Sequence, residues 1–149
     1  MIYALITMIG TCKNCEALIK YNPSQKRGLY CTNKCQNEFY YKQNISNWLS
    51  KKISGGRTDG RPSDFVRKYL LEESDYKCSR CGWGEPNPVN GIIYLEIDHI
   101  DGTRENNYKE NLRVLCPNCH TLTHTYKNLN KNIGYHKQNR NKKSNNQII

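Results

Sequence analysis

Apolar positions are sparse along this chain and gather in short stretches between polar ones. The run from Ile92 to Ile97 is rich in β-branched and apolar residues and predicts a β-strand that ends at Asp98. A second run, Leu112 to Leu115, predicts a strand that leads into Cys116-Pro117, where proline suits the first turn of a helix. The expected order in this region is strand, polar loop, strand and helix.

Two further stretches have helical character. The first runs from Asn33 to Lys52, and its apolar members are Phe39, Tyr40, Trp48 and Leu49. The second runs from Ser63, a suitable N-cap, to Ser74. Its apolar stripe comprises Phe65, Tyr69, Leu70 and, just beyond, Tyr76. Three glycines and one proline between these helices, in residues 54–62, predict a flexible joint.

These patterns predict a five-part organisation. It consists of a disordered leader over 1–11, a four-cysteine zinc finger with a helix over 12–53, a linker over 54–62, a second domain over 63–127 and a disordered basic tail over 128–149. The leader lacks the positive start of a secretory signal. No apolar run approaches the ~18 residues of a membrane span, so a cytoplasmic protein is expected.

Composition limits the kind of core and the kind of partner. Hydrophobic residues make up 36% of the chain and the mean hydropathy is −0.88, too polar for one large apolar core. The net charge of +10 divides into +6 for residues 1–60, −2 for 61–125 and +6 for 126–149. Basic flanks of this kind indicate a polyanionic partner.

All eight cysteines fall into close pairs, and the pairs form two sets of four. The sets are Cys12, Cys15, Cys31 and Cys35, and Cys78, Cys81, Cys116 and Cys119. An even number of cysteines also suits a disulfide framework. However, bridges within such short loops would stabilise little, whereas two thiolates on a tight knuckle supply half of a tetrahedral zinc site. The spacing therefore favours two structural zinc sites.

Three of the four histidines lie within 26 residues, beside a carboxylate. Asp98, His99, His120 and His124 offer a set suited to a divalent cation together with a general base. His120 and His124 are four residues apart, so they are expected on one helix face. His136, in the basic tail, is not expected to be catalytic.

Asp98-His99, Asn111-Leu112 and the segment from Cys116 to His120 carry a family resemblance. Over about residues 76–127, the sequence strongly resembles the HNH endonucleases, and the Cys78/Cys81 knuckle is similar to their zinc-stapled branch, common in bacteriophage. The resemblance implies a small α+β zinc-stabilised protein. It would comprise a ββα-metal (treble-clef-like) HNH domain preceded by a small four-cysteine zinc finger.

The same resemblance implies a metal-dependent endonuclease that hydrolyses phosphodiester bonds in DNA. His99 would be the general base, and Asn111 would brace the loop that carries it. Asp98 and His120 would hold a catalytic divalent ion (Mg2+, Mn2+, Ni2+ or Zn2+), and His124 is a third candidate ligand. Arg104, Lys109 and Arg113 are candidates for DNA phosphate contact. Double-strand cleavage by one such site would need a dimer or successive nicks.

The N-terminal cysteine set resembles the small zinc fingers that precede some phage HNH domains. Lysines and tyrosines interleave around it, as on surfaces that contact nucleic acid. The alternative function is a non-catalytic zinc-finger protein that binds double-stranded DNA. Such a protein has no need to keep Asp98, His99, Asn111 and His120 together. The extra finger fits a phage or mobile-element enzyme in the host cytoplasm, with packaging, homing and restriction as open roles.

Overall fold

The computed structural model describes residues 8–21 and 29–127, and the chain divides into two compact units between Ile53 and Ser54. Residues 1–7 of the expected leader, the tail from residue 128 and His136 lie outside the described residues. Residues 8–11, which were also predicted to be disordered, instead form a strand. Within the described ranges, no helix is both long enough and apolar enough to cross a membrane.

The first unit is built around a small hairpin and one helix. Strands β1 (Met8–Thr11) and β2 (Leu18–Tyr21) are antiparallel, with Thr11 opposite Leu18. Helix α1 (Asn33–Leu49) ends three residues before the predicted Lys52. Its N-cap is Thr32, whose side-chain oxygen accepts a hydrogen bond from the backbone N–H of Cys35 at 3.1 Å, satisfying one of the unpaired N–H groups of the first turn.

The second unit packs two helices against a two-stranded sheet. Its elements are α2 (Asp64–Glu73), β3 (Glu96–His99), β4 (Leu112–Leu115) and α3 (Pro117–Thr121). Strands β3 and β4 are antiparallel, α2 packs on β4, and α3 packs on both strands. The buried apolar side chains of this unit are Val66, Leu70, Leu95, Leu112, Val114 and Leu115.

Two details differ from the sequence-based prediction. Strand β3 spans Glu96–His99 instead of residues 92–97, because its partner β4 offers only four residues between a 3-10 turn (Lys109–Asn111) and Cys116. On α2, Val66 and Leu70 are the buried residues, while Tyr76 beyond the helix is exposed.

Residues 54–62, predicted as a linker, form an ordered turn within the second unit. Gly56 and Pro62 pair as an antiparallel bridge, and the backbone N–H of Arg57 donates to the carbonyl of Arg61 at 2.8 Å. The turn continues into α2 through a hydrogen bond from Ser63 N–H to the Gly55 carbonyl at 2.9 Å.

Candidate metal centres and active site

The eight cysteines form two tetrads, one in each unit. In each tetrad the four sulfur atoms lie within 4.8 Å of one another. In the second unit, Ser79 N–H donates to the Val114 carbonyl at 2.9 Å and ties the Cys78/Cys81 knuckle to β4. Cys116 is the N-cap of α3, and its Sγ accepts from Cys119 N–H at 3.4 Å.

Sulfur–sulfur distances match tetrahedral zinc rather than disulfides. The separation is 3.8 Å for Cys81 and Cys116, 3.6 Å for Cys15 and Cys31, and 3.3 Å for Cys31 and Cys35. Four thiolates at ~2.3 Å from a zinc ion lie ~3.8 Å apart, whereas a disulfide bond measures ~2.05 Å. All eight cysteines are free thiols. The two tetrads therefore fit structural zinc, and four sulfurs leave no open coordination position in either site.

The thiols within each tetrad differ in acidity. Burial raises the pKa of Cys78, but backbone hydrogen bonds from Cys116 and Cys81 outweigh it and lower that pKa to about 6. Burial, followed by hydrogen bonds to neighbouring thiols, raises the pKa of Cys119 to about 12. In the first unit Cys12 and Cys31 show the same contrast, at about 6 and about 12. In the first unit a hydrogen bond from the Cys31 side chain also lowers the pKa of Cys35.

Asp98 and His120 face each other where β3 meets α3. Asp98 is a buried carboxylate, and its Oδ1 lies 3.5 Å from Nε2 of His120. The other ring nitrogen, Nδ1, is hydrogen-bonded to the Glu96 carboxylate, two residues before Asp98 on β3. A carboxylate on one histidine nitrogen commonly directs the other nitrogen toward a metal. Asp98 and His120 therefore fit as two ligands of a divalent cation.

The Asp98 carboxylate also accepts hydrogen bonds from two other side chains. Arg113 Nε donates to its Oδ2 at 2.7 Å from β4, and Thr125 Oγ1 donates to its Oδ1 at 3.4 Å. Arg113 was predicted to contact DNA phosphate, but its guanidinium is engaged with this carboxylate. Because Asp98 is only 4% exposed, Arg113 compensates a charge that would otherwise be buried alone.

His124 lies beyond the end of the helix that carries His120. Helix α3 ends at Thr121, so the prediction that His120 and His124 share one helix face is wrong. The chain leaves the helix because Leu122 N–H and Thr123 N–H bond back to Cys119 and His120 carbonyls, which closes the last turn. His124 is exposed, and among the described residues neither it nor the Asp98–His120 pair belongs to a group of three metal-ligating side chains.

His99 ends β3 and is held by an asparagine that the sequence did not single out. Its Nε2 lies 3.0 Å from Oδ1 of Asn107, which is 1% exposed. Asn111 does not reach the ring: its Nδ2 donates to the Asp101 carboxylate at 2.9 Å and to the Asn106 carbonyl at 2.8 Å. Asn111 thereby ties together the loop after His99. Nothing in the spacing of Asn107 marked it, because its contacts depend on the tertiary fold.

A cavity of about 690 Å³ opens beside the two histidines. His99 and His120 line it together with four arginines from the 54–62 turn, α2 and the loop after β3. These arginines are Arg57, Arg61, Arg67 and Arg104. The acidic residues at its wall are Asp64 and Glu96. Arg104 was predicted to contact DNA, whereas the other three were not.

Lys109, the remaining predicted DNA contact, packs on α2 instead. Its ammonium pairs with Glu73 and lies 5.3 Å from the centre of the Tyr69 ring. The hydrogen bond to Glu73 raises the pKa of Lys109.

In the first unit, the Tyr30 ring packs against Phe39 and Tyr40. The centre of the Tyr30 ring lies 5.4 Å from that of Phe39 and 5.9 Å from that of Tyr40.

Comparison with known proteins places this geometry in context. Residues 78–126 match the family profile described as HNH endonuclease. The chain is 43% identical over 74 residues to an H-N-H endonuclease, F-TflIV, of Escherichia phage T5, covering 46% of this chain and 30% of that protein. It is 35% identical over 66 residues to the type IV methyl-directed restriction enzyme EcoKMcrA of Escherichia coli K12, covering 42% and 24%. The chain thus spans less than a third of either relative. No solved structure matches it significantly.

Proposed function

We propose, from the match of residues 78–126 to the HNH endonuclease family, that this protein is a divalent-metal-dependent endonuclease that hydrolyses phosphodiester bonds in DNA. One observation carries the proposal: His99 and His120 line the same cavity as four arginines, next to the buried carboxylate of Asp98. The cavity therefore combines a candidate base, His99, with one candidate metal ligand, His120, which lies 3.5 Å from the buried Asp98 carboxylate, and with arginines that suit phosphate.

The proposed role of each residue follows from the contacts of its side chain. His99, with one ring nitrogen on Asn107, has the other available to take a proton from an attacking water. Asp98 and His120 would hold the divalent ion, which when bound supplies positive charge to the scissile phosphate and the leaving 3′ oxygen. Glu96 fixes the orientation of His120, and Asn111 holds the loop that follows His99.

The arginines around the cavity suit a ligand that carries phosphate groups, such as the DNA backbone. Arg57 pairs with Asp64 at 3.5 Å, and Arg61 pairs with Asp59 at 2.6 Å. Arg67 donates to the Leu95 carbonyl at 2.8 Å, so a phosphate would share these three guanidinium groups with their present partners. Arg104 lines the same cavity. Guanidinium groups suit backbone phosphates because they can donate two parallel hydrogen bonds. Contacts of this kind give affinity and salt sensitivity, with little choice of sequence.

One base and one metal pair imply one strand cut per domain, so double-strand cleavage would require two copies or two successive nicks. The likeness to a phage H-N-H endonuclease supports an origin in a phage or mobile element. The zinc finger of the first unit would add DNA contacts through its exposed lysines.

A plasmid-nicking assay tests the proposal. Zinc-loaded protein is incubated with supercoiled DNA and Mg2+, Mn2+ or Ni2+, beside His99→Ala and His120→Ala variants and a matched His124→Ala variant. We expect nicking that requires metal, is lost in the first two variants and persists in the third. Folded wild-type protein that binds DNA without any metal-dependent nicking would instead indicate a non-catalytic DNA-binding protein. Sequencing the product ends then reports strand usage and site preference.

A further inference from the structure

Asn107 is the most buried polar side chain among the described residues, at 1% exposure. It lies in the loop between β3 and β4, and its two amide atoms face different partners. Oδ1 faces His99 Nε2 at 3.0 Å. Nδ2 faces three backbone carbonyls, those of Gly60 at 2.9 Å, Arg104 at 3.2 Å and Glu105 at 3.3 Å.

The carbonyls fix the orientation of the amide. A carbonyl oxygen only accepts hydrogen bonds, so the atom facing three of them must be the NH2 group. The atom facing His99 is then the amide oxygen, which also only accepts. His99 Nε2 must therefore donate, and the neutral imidazole carries its single proton on Nε2 with a lone pair on Nδ1.

The 54–62 turn holds Asn107 in this position. A Cβ on Gly56 would come within 2.7 Å of Asn107 Nδ2, so the amide lies directly against the glycine backbone. Gly60, which supplies the closest carbonyl, is 47 residues away in sequence and has a φ of +82° that favours glycine. The turn that carries Arg57 and Arg61 is thus coupled through one side chain to His99.

We propose that Asn107 is a positioning residue for His99: it selects the imidazole tautomer protonated on Nε2, so that Nδ1 is the atom that accepts the proton. Asn111 has a different task, since it binds the loop backbone and Asp101 rather than the ring. The tautomer assignment depends only on the fold. Its catalytic consequence rests on the proposed endonuclease function.

Nuclear magnetic resonance of the full, zinc-loaded protein tests the assignment directly. With ¹⁵N- and ¹³C-labelled histidine at a pH where His99 is neutral, the wild type should show a single Nε2–H tautomer. A wild-type ring protonated on Nδ1, or a mixture of tautomers, overturns the proposal without any variant. In Asn107→Ala the ring should lose the single-tautomer signature.

A neighbouring asparagine provides the matched control. Asn106 donates to the Asp101 carboxylate at 2.8 Å and makes no described contact with His99. Asn106→Ala should keep the Nε2–H tautomer. If it changes the tautomer as much as Asn107→Ala does, loop order sets the tautomer and Asn107 does not.

Kinetics supply the second readout. In the nicking assay, Asn107→Ala should lower kcat by about 10- to 100-fold, the usual cost of losing an orienting partner. KM for DNA should change little, because the side chain is buried. A rise of about 10- to 100-fold in KM with kcat unchanged would contradict a positioning role. If the tautomer is as expected but the wild type does not cut DNA, the endonuclease proposal fails and the assignment of Asn107 stands.

Discussion

Asp101 and Asn111 hold each other by a reciprocal pair of hydrogen bonds. The backbone N–H of Asp101 donates to Asn111 Oδ1 at 3.0 Å, and Asn111 Nδ2 donates to Asp101 Oδ1 at 2.9 Å. The Asp101 carboxylate also accepts from Thr103 N–H at 2.7 Å. This group closes the loop between His99 and β4, and it requires the carboxylate in its charged form.

The first prediction concerns the pH dependence of this loop. Hydrogen bonds from the Thr103 backbone and then the Asn106 side chain lower the pKa of Asp101 from 3.8 to about 2. A carboxyl group whose pKa is lower in the folded state than in the unfolded state stabilises the fold. This stabilisation is fully present above the unfolded-state pKa and is lost as the pH falls from about 4 to about 2. Asp101→Asn should therefore lower the denaturation midpoint by the same amount at about pH 6 and about pH 8. If the difference in midpoint between variant and wild type changes between about pH 6 and about pH 8, the titration of a histidine, and not of Asp101, would explain the change.

The second prediction separates the two zinc sites. Cys78→Ser removes one ligand from the second tetrad, and Cys12→Ser removes the equivalent ligand from the first. Each variant should bind one zinc ion where the wild type binds two, measured by metal analysis of the purified protein. Because the tetrad holds the start of α3, Cys78→Ser should also unfold the second unit, seen by circular dichroism. A Cys78→Ser protein that keeps both zinc ions and its cooperative unfolding contradicts the assignment.

Local features of this molecule were predictable from sequence, and features made by distant contacts were not. The tetrads and β4 follow from short spacings, because two cysteines on a knuckle or four apolar residues act locally. The position of β3 depended on its partner strand, and the position of His124 depended on where α3 ends. Asn107 and the arginines of the 54–62 turn acquire their roles only when residues 47 positions apart come together.

The third prediction tests the link between Glu96 and His120. The Glu96 carboxylate accepts from His120 Nδ1 and leaves Nε2 facing Asp98. Glu96→Ala should weaken activation by Mn2+ about 10- to 100-fold, because the imidazole loses the partner that fixes its tautomer and orientation. The measurement is the Mn2+ concentration for half-maximal nicking. Glu105→Ala, which removes an exposed carboxylate of the loop after β3, is the control. If the Mn2+ concentration for half-maximal nicking rises equally in both variants, the cause is a general loss of negative charge and not the contact between Glu96 and His120.

The last prediction concerns the pair formed by Arg113 and Asp98. In the protein without a divalent ion, Arg113 Nε at 2.7 Å balances a carboxylate that is 4% exposed. Arg113→Gln should therefore destabilise the metal-free protein by about 1–3 kcal/mol, the cost of leaving a buried acceptor poorly paired. A cation bound by Asp98 restores the missing positive charge, so Mn2+ should recover part of this loss. Thermal unfolding of zinc-loaded wild type and variant, with and without Mn2+, measures both effects.

The stabilisation by Mn2+ should be larger in Arg113→Gln than in the wild type, since anything that binds only the folded state adds stability by mass action. A smaller stabilisation in the variant would mean that Arg113 assists metal binding by holding Asp98 in place, and the compensation argued here would be wrong.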